Sequence, residues 1–205
     1  MALLRLVQVR SDVTRQRDDR ELAAAAQGGD EAAFAELVRR HQAGVRRCAW
    51  RVLGDVEEAR DVSQLAFVRA WENLSRYDAA WSFSTWLYRI ATNIAIDVLR
   101  ARDSRERTHT AHLRLVEDRV NASAPRELAE QEVQGIFAEL AEGLTPSQRV
   151  AFVLREVEGM ATAEVAQILG CSEATVRNHV FQARAVLRLE LARRYPEYLP
   201  QGGRQ

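Results

Sequence analysis

Apolar residues recur at the spacing of an α-helix along nearly all of this 205-residue sequence, and no segment shows the alternation typical of a β-strand. In the first half, the pattern predicts helices over residues 19–27, 30–53, 55–76 and 82–102. Gly28 and Gly54 follow the first two as stop signals, and Asp55 with Glu58 forms a capping-box-like start for the third. We therefore expect an all-α fold.

Residues 102–125 break this pattern, because they are polar, dense in charge and poor in large apolar side chains. Helical spacing returns over residues 127–142, and a capping box of Thr145 and Gln148 starts the helix after it. The sequence therefore predicts two small helical domains joined by a flexible linker. The predicted boundaries are a mobile N-terminal extension at 1–18, a first domain at 19–103, the linker at 104–125, a second domain at 126–195 and a tail at 196–205.

All 29 basic residues are arginine, and 29 acidic residues bring the formal net charge to zero. Nucleic-acid binding by such a chain must come from the local placement of its arginines. Cys48 and Cys171 have no metal-ligand spacing and are expected to be ordinary buried thiols. His109 and His112 stand three apart with no further ligands nearby. We predict no cofactor and no metal site, and the absence of a signal peptide or membrane span favours a cytoplasmic protein.

Residues 163–188, AEVAQILGCSEATVRNHVFQARAVLR, have the pattern of a helix-turn-helix, in which Gly170 makes the turn and Ser172 caps the second helix. Opposite the apolar seam of that second helix lie Asn178, Phe181, Gln182 and Ala185, flanked by Arg177 and Arg184. An exposed phenylalanine there suits a helix in the major groove, where it can contact a thymine methyl group. The alternative is a helical hairpin in which Phe181 packs on a neighbouring helix.

The third predicted helix has an unusual outer face. Opposite its core residues, this face carries Leu65 and Val68 among the polar residues Asp61, Gln64 and Glu72. Two apolar side chains on a polar face suggest a docking surface for a partner protein. Packing against another helix of the same domain explains the pattern equally well.

The fourth predicted helix carries a stripe of Trp86, Arg89, Asn93, Asp97 and Arg100 opposite its apolar residues, and Tyr77 and Trp81 lie in the loop before it. A tryptophan at the head of a polar, arginine-bearing stripe fits a wedge that unstacks a duplex and reads an extruded base. Core filling accounts for the other aromatic residues of this part, namely Phe67, Trp71, Phe83 and Tyr88.

The stretches DVEEARDVSQLAFVRAW (55–71) and FSTWLYRIATNIAIDVLR (83–100) together resemble the second conserved region of the extracytoplasmic-function (ECF) group of sigma-70-family initiation factors. LTPSQRVAFVLREVEGM (144–160) and EVAQILGCSEATVRNHVFQARAVLR (164–188) resemble the fourth region of the same group. The resemblance runs from about residue 22 to 191, in the order of the family. It implies a sigma factor that directs core RNA polymerase to specific promoters and melts the −10 element.

The resemblance also implies roles for residues. Docking on core polymerase, at the β′ clamp, would fall to Asp61, Gln64, Leu65, Val68 and Glu72. The −10 element would be bound by Tyr77, Trp81, Trp86, Arg89, Asn93, Asp97 and Arg100. The −35 element would be bound by Thr175, Arg177, Asn178, His179, Phe181, Gln182, Arg184 and Arg188. Relatives usually have glutamate in place of Leu65 and frequently arginine in place of His179 and Gln182.

By resemblance, the expected partners are core RNA polymerase through its β′ and β subunits, promoter DNA and a cognate anti-sigma factor. A stand-alone helix-turn-helix regulator of an operator is the alternative, although it leaves the stripe on the fourth helix unexplained. A protein-interaction module that sequesters a partner is a third reading, against which the face from Arg177 to Gln182 argues. The sequence holds no nucleophile–base pair, glycine-rich phosphate loop or carboxylate cluster with metal spacing, so no enzymatic activity is expected.

Overall fold

The computed structural model describes residues 18–108 and 125–198, with side chains described for 18–105 and 132–198. Within these residues the chain forms eight α-helices and no β-strand. The helices are α1 Asp19–Gln27, α2 Glu31–Leu53, α3 Val56–Glu72, α4 Phe83–Thr108, α5 Pro125–Leu140, α6 Pro146–Phe152, α7 Thr162–Leu169 and α8 Glu173–Arg194. The predicted all-α fold is confirmed. None of the helices in the described ranges has the length and apolar character needed to cross a membrane.

Short polar side chains start most of these helices, as the sequence predicts. Asp18, Asp30 and Asp55 each accept a hydrogen bond from a backbone N–H of the first turn of α1, α2 and α3. Thr145 forms the predicted capping box at α6. Ala161 is the residue before α7 and offers no capping side chain. The first turn of α7 therefore lacks the side-chain acceptor that such positions usually supply.

Helices α1 to α4 form the first unit, in which α2 packs against the other three. Its innermost side chains include Leu37, Val45, Leu53, Phe83 and Leu87, all essentially inaccessible to solvent. Gly54 ends α2 with a φ of 74°, a left-handed conformation that glycine adopts without a steric penalty. This turn lets α3 run back along α2 and places the outer faces of α3 and α4 at the surface.

Helices α5 to α8 form the second unit, in which α6, α7 and α8 enclose a smaller core that includes Val150, Val165, Ile168 and Val176. The end of α6 widens into a π-helical segment, Val153–Val157, closed by a bond from the Glu158 N–H to the Val153 carbonyl. Gly170 has a φ of 63° and makes the turn between α7 and α8. The predicted helix-turn-helix is therefore present, with the bend where the glycine predicts it.

Several predicted boundaries differ from the structure. Helix α3 ends at Glu72, and a separate 3₁₀ turn, Leu74–Arg76, follows it. Helix α4 continues to Thr108, so the first residues of the predicted linker are helical. The predicted tail begins with a 3₁₀ turn, Pro196–Tyr198. The rest of the predicted linker with His109 and His112, nearly all of the N-terminal extension and the end of the tail lie outside the described residues.

The two helical units are in contact, which the sequence does not predict. Helix α4 packs along α7, and α5 lies across the end of α2. Buried apolar residues of both units belong to one continuous cluster. This arrangement places the outer stripe of α4 beside the helix-turn-helix.

Candidate nucleic-acid interface

The helix-turn-helix presents its second helix, α8, with most of its predicted reading face in solvent. Ser172 Oγ accepts a bond of 3.1 Å from the Thr175 N–H and fixes the start of that helix. Phe181 is 72% exposed, so the alternative in which it packs on a neighbouring helix is wrong for this structure. The exposed residues of the predicted −35 set are Arg177, Asn178, Phe181, Gln182, Arg184 and Arg188.

Several of these exposed side chains have partners within the chain. Arg177 pairs with Glu173 one turn earlier at 3.2 Å, and Arg184 pairs with Glu156. Gln182 Oε1 accepts a bond of 2.6 Å from Gln148 Nε2. The pairs hold the side chains near the helix, and each must be exchanged or shared when a base or a phosphate is bound.

Two residues of the predicted −35 set are only partly accessible. Thr175 is half-buried and shares a hydrogen bond of 2.8 Å with Ser172. His179 is also half-buried and lines a groove with residues of α4, and its buried Nδ1 has no hydrogen-bond partner. His179 therefore faces the first unit here, away from the exposed face that Phe181 occupies.

The outer stripe of α4 borders a second candidate site, a groove of about 490 Å³. Arg89, Asn93, Asp97 and Arg100 are exposed along the stripe, while Trp86 is half-buried at its head. The groove is lined by Arg69, Asn73, Arg76, Trp86, Arg89, Ile90 and Asn93. Guanidinium groups, an indole and an amide thus surround a space that can receive phosphates and one base.

Arg69, Asn73 and Arg76 were not predicted as site residues. Arg69 belongs to the last turn of α3, and Arg76 to the 3₁₀ turn that follows. The two arginines stand seven residues apart, a spacing that places side chains on one face of a helix. That spacing is the signal in the sequence that could have identified them.

Aromatic packing fixes the position of Trp86. Its ring lies 5.2 Å from that of Tyr77 and 5.8 Å from that of Phe83, measured between centroids. Tyr77 is buried, and its hydroxyl donates a bond of 2.8 Å to the Trp81 carbonyl. Burial raises the pKa of the Tyr77 hydroxyl above its ordinary value. Tyr77 therefore has no free face for a base in this structure and instead supports Trp86, whereas Trp81 is exposed.

The outer face of α3 is solvent-exposed at all five predicted docking positions, Asp61, Gln64, Leu65, Val68 and Glu72. Within the described residues no other helix covers these positions, so intramolecular packing does not explain Leu65 and Val68. Trp71 was predicted to fill the core but is 41% exposed. It packs on Phe34 at 4.9 Å and lines an apolar groove with that residue and Val38. The groove extends the apolar part of the face toward α2.

The two thiols differ in their surroundings. Cys48 is buried, and desolvation together with the nearby Glu158 carboxylate raises the pKa of its thiol to about 12. Cys171 is only half-buried beside the turn of the helix-turn-helix, so the prediction of two buried thiols holds fully for Cys48 alone. No group of three or more histidine, cysteine and acidic side chains is close enough to hold a metal ion in the part of the chain that the structure describes.

Comparison with known proteins identifies the family of both units. Residues 37–105 match the family model Sigma-70 region 2, and residues 134–187 match Sigma-70, region 4. The ECF RNA polymerase sigma factor SigW of Bacillus subtilis is 33% identical over 175 residues, covering 80% of this chain and 91% of its own. The ECF RNA polymerase sigma-E factor of Escherichia coli is 33% identical over 184 residues, covering 85% of this chain and 95% of its own.

Solved structures agree with this assignment. CnrH in complex with the cytosolic domain of CnrY is 28% identical, covers 86% of this chain and 98% of that chain, and has a TM-score of 0.65. The sigma factor RpoE of Bartonella quintana, in complex with the anti-sigma factor NepR, has a TM-score of 0.59 at 21% identity. It covers 77% of this chain and 96% of that chain and supports the fold alone. The chain therefore belongs to the ECF group of the sigma-70 family of RNA polymerase sigma factors.

Proposed function

We propose that three surfaces of this ECF sigma factor have separate roles in promoter recognition. The outer face of α3 docks on core RNA polymerase, the groove beside α4 binds the −10 element, and α8 reads the −35 element. The observation that carries the proposal is the groove headed by Trp86, because it is lined by Arg69, Arg76 and Arg89. A regulator that binds an operator through its helix-turn-helix alone has no use for such a groove, and the family assignment does not favour that alternative.

At the −10 element, Trp86 acts as the stacking surface for a base that leaves the duplex. Contacts with Tyr77 and Phe83 hold the indole in place, so little side-chain entropy is lost when a base stacks on it. Arg69 and Arg76 neutralise the phosphates of the strand, and Asn93 offers both a donor and an acceptor to a base edge. Trp81, Asp97 and Arg100 lie outside this groove and have secondary roles in binding the strand.

At the −35 element, α8 lies in the major groove. Asn178 and Gln182 can form bidentate hydrogen bonds to adenine, Arg177 can do so to guanine, and Phe181 contacts a thymine methyl group. Arg184 and Arg188 contact phosphates on either side. Thr175 and His179, which are only half-buried, complete this set.

The exposed face of α3 docks on the β′ clamp of the polymerase. Leu65 and Val68 supply apolar area at its centre, and Asp61, Gln64 and Glu72 form a polar rim, which is the usual composition of a protein interface. Leu65 forms no ion pair, so this interface relies more on apolar contact than one with glutamate there.

An anti-sigma factor is a further partner. The structures of CnrH and of Bartonella quintana RpoE contain CnrY and the anti-sigma factor NepR, respectively. By analogy we assign a cognate inhibitor to this chain. Bond formation in RNA belongs to the polymerase, and we assign no catalytic residue here.

Run-off transcription with purified core polymerase on a genomic promoter library tests the proposal. The sigma factor should add sequence-restricted start sites, and an Asn93→Ala variant should lose them while keeping its fold, because Asn93 is exposed. Trp86→Ala should lose them too, and Leu189→Ala, which changes an exposed residue that belongs to neither proposed reading set, should keep them. Specific binding of an operator by the protein alone, with no added transcription, would refute the proposal.

A further inference from the structure

A hydrogen bond between two glutamines joins α6 to the exposed face of α8. Gln148 belongs to the first turn of α6, and Gln182 lies next to Phe181 on α8. Gln148 Nε2 donates to Gln182 Oε1 at 2.6 Å, although 34 positions separate the two residues. A residue outside α8 therefore bonds directly to a side chain proposed to read a base.

The capping box of α6 determines which end of the Gln148 amide faces α8. The backbone N–H of Thr145 donates to Gln148 Oε1 at 3.0 Å, and the backbone N–H of Gln148 donates to Thr145 Oγ1 at 3.3 Å. A backbone N–H can only donate, so it binds the oxygen of the Gln148 amide. The Nε2 end of that amide, which also can only donate, is left to face α8.

This order of donors and acceptors also fixes the direction of the Gln182 amide. Because Gln148 presents hydrogens, Gln182 turns its Oε1 toward α6 to accept one of them. The Nε2 end of Gln182, with its two hydrogens, is then the end that is free to meet DNA. Gln182 is exposed and Gln148 is half-buried, so the more fixed side chain orients the freer one.

The direction of the Gln182 amide matters because the bases differ at their major-groove edges. Guanine presents two acceptors there, O6 and N7, whereas cytosine presents the N4 donor. Adenine presents one donor and one acceptor, so it can pair with an amide in either direction. Building on the proposed function of α8, we propose that Gln148 is a specificity-determining residue, which orients Gln182 to favour guanine over cytosine on the strand that Gln182 contacts.

A single substitution at Gln148 reverses the amide without removing the helix cap. In Gln148→Glu the carboxylate still accepts from the Thr145 N–H, because glutamate at this position also completes a capping box. The carboxylate cannot donate to α8, so Gln182 should bond to it through Nε2 and turn its Oε1 toward DNA. The substitution therefore changes the end of Gln182 that a base meets.

The test uses the holoenzyme, formed with core polymerase, on its own promoter randomised across the −35 element. Each template carries a transcribed barcode, and barcode counts in the RNA give the preference for each base at each position. At one position the ratio of guanine to cytosine should fall by at least about fivefold in Gln148→Glu, the effect of one net hydrogen bond. A uniform loss of activity from the added negative charge cancels in this ratio. Positions read by other residues, such as Asn178, should keep their preferences.

Two further variants show whether Gln148 acts through Gln182. In a Gln182→Ala background, Gln148→Glu should leave the ratio unchanged, because there is no amide to reverse. Gln182→Glu leaves α6 intact and presents only acceptors, so it should also lower the ratio of guanine to cytosine. Both residues lie outside the core, and thermal melting of each variant checks the fold.

The outcomes separate this inference from the proposed function. An unchanged ratio in Gln148→Glu, or an equal fall in the Gln182→Ala background, would overturn the role of Gln148. A wild-type preference for cytosine over guanine at the position that Gln182→Ala relaxes would overturn it as well. In each of these cases the wild-type holoenzyme would still select a −35 sequence, and the proposed function would stand. A wild-type holoenzyme that transcribes equally from every −35 sequence would instead refute the proposed role of α8, and this inference with it.

Discussion

Replacing Phe181 with alanine should weaken recognition of the −35 element while leaving the fold almost unchanged. The ring is 72% exposed. Of about 200 Å² for a phenylalanine side chain, it therefore covers only about 55 Å² in the free protein. At about 25 cal/mol per Å², that contact is worth about 1.4 kcal/mol, and the higher helix propensity of alanine offsets about 0.5 kcal/mol. The free energy of unfolding should therefore fall by about 1 kcal/mol.

The cost to DNA binding should be larger than the cost to folding. About 145 Å² of the ring is free to contact DNA, and burial of half of it against a base edge is worth about 1.8 kcal/mol. That energy corresponds to about a twentyfold loss of affinity. Because the lost contact is apolar, the dependence of affinity on salt should not change. Arg188→Ala should behave differently and reduce the salt slope by about 0.9, the effect of one phosphate contact.

Fluorescence anisotropy with a −35 duplex, measured across a range of salt concentrations, tests this prediction. Leu189→Ala is the matched control, because Leu189 is 67% exposed on the same helix and lies about 12 Å farther along it. Thermal melting of all the variants checks the fold. An affinity of Phe181→Ala within twofold of the wild type, or an equal loss in Leu189→Ala, would refute the assignment of Phe181 to base readout.

Three further predictions concern other parts of the chain. Cys48 should resist alkylation at pH 8 in the native protein and react after unfolding, as followed by mass spectrometry, because burial raises its pKa to about 12. Leu65→Glu should weaken binding to core polymerase by about fivefold in a competition assay, since burial of a leucine side chain is worth about 2 kcal/mol and a surface ion pair about 1 kcal/mol at most. Hydrogen bonds from Arg39 and Arg40 lower the pKa of Glu36 to about 2. The stabilisation from ionised Glu36 is therefore complete above its unfolded pKa and is lost as the pH falls toward 2. The free energy of unfolding of Glu36→Gln, measured by urea melts, should therefore fall less over that pH range than that of the wild type.

The fold class could be predicted because helical spacing is a local property. Apolar residues repeat along each helix, and side chains such as Asp30 and Thr145 start helices through bonds to backbone groups three residues away. Helix ends were less predictable. The break after Glu72 depends on the buried contacts of Leu74 and Tyr77 with the rest of the first unit, which local spacing does not record.

The solvent exposure of residues on the proposed binding surfaces could be predicted where it depends on helix phase alone. The phase of α8 correctly gives the exposure of Phe181, and that of α3 gives the exposure of Leu65. Tyr77 and His179 differ because tertiary packing decides their environment. Tyr77 lies under Trp86, and His179 lies at the contact between the units. The sequence around Tyr77 does not indicate that its ring packs under Trp86, and the sequence around His179 does not indicate that it contacts the first unit.

The contact between the units could not be predicted by any of these arguments. Arg51 and Glu158 are separated by 107 positions, and Gln134 and Trp50 by 84. A single sequence contains many arginines and acidic residues that could pair over such distances. Arg149 is a charged residue on a short helix, and its burial against the Phe137 ring depends on tertiary packing that local spacing does not record.

On the proposed function, the pairing of arginines on α8 gives a physical reason for this neutral chain to need polymerase at a promoter. Arg177 and Arg184 already pair with Glu173 and Glu156, so a phosphate must replace a carboxylate at each. An exchange of this type yields less binding energy than the capture of a phosphate by an arginine without a partner. We therefore expect the proposed −35 contact to be weak alone, and the proposed docking through α3 to supply the missing affinity by raising the local concentration of DNA at both surfaces. On this proposal, specificity depends on both elements being bound at once.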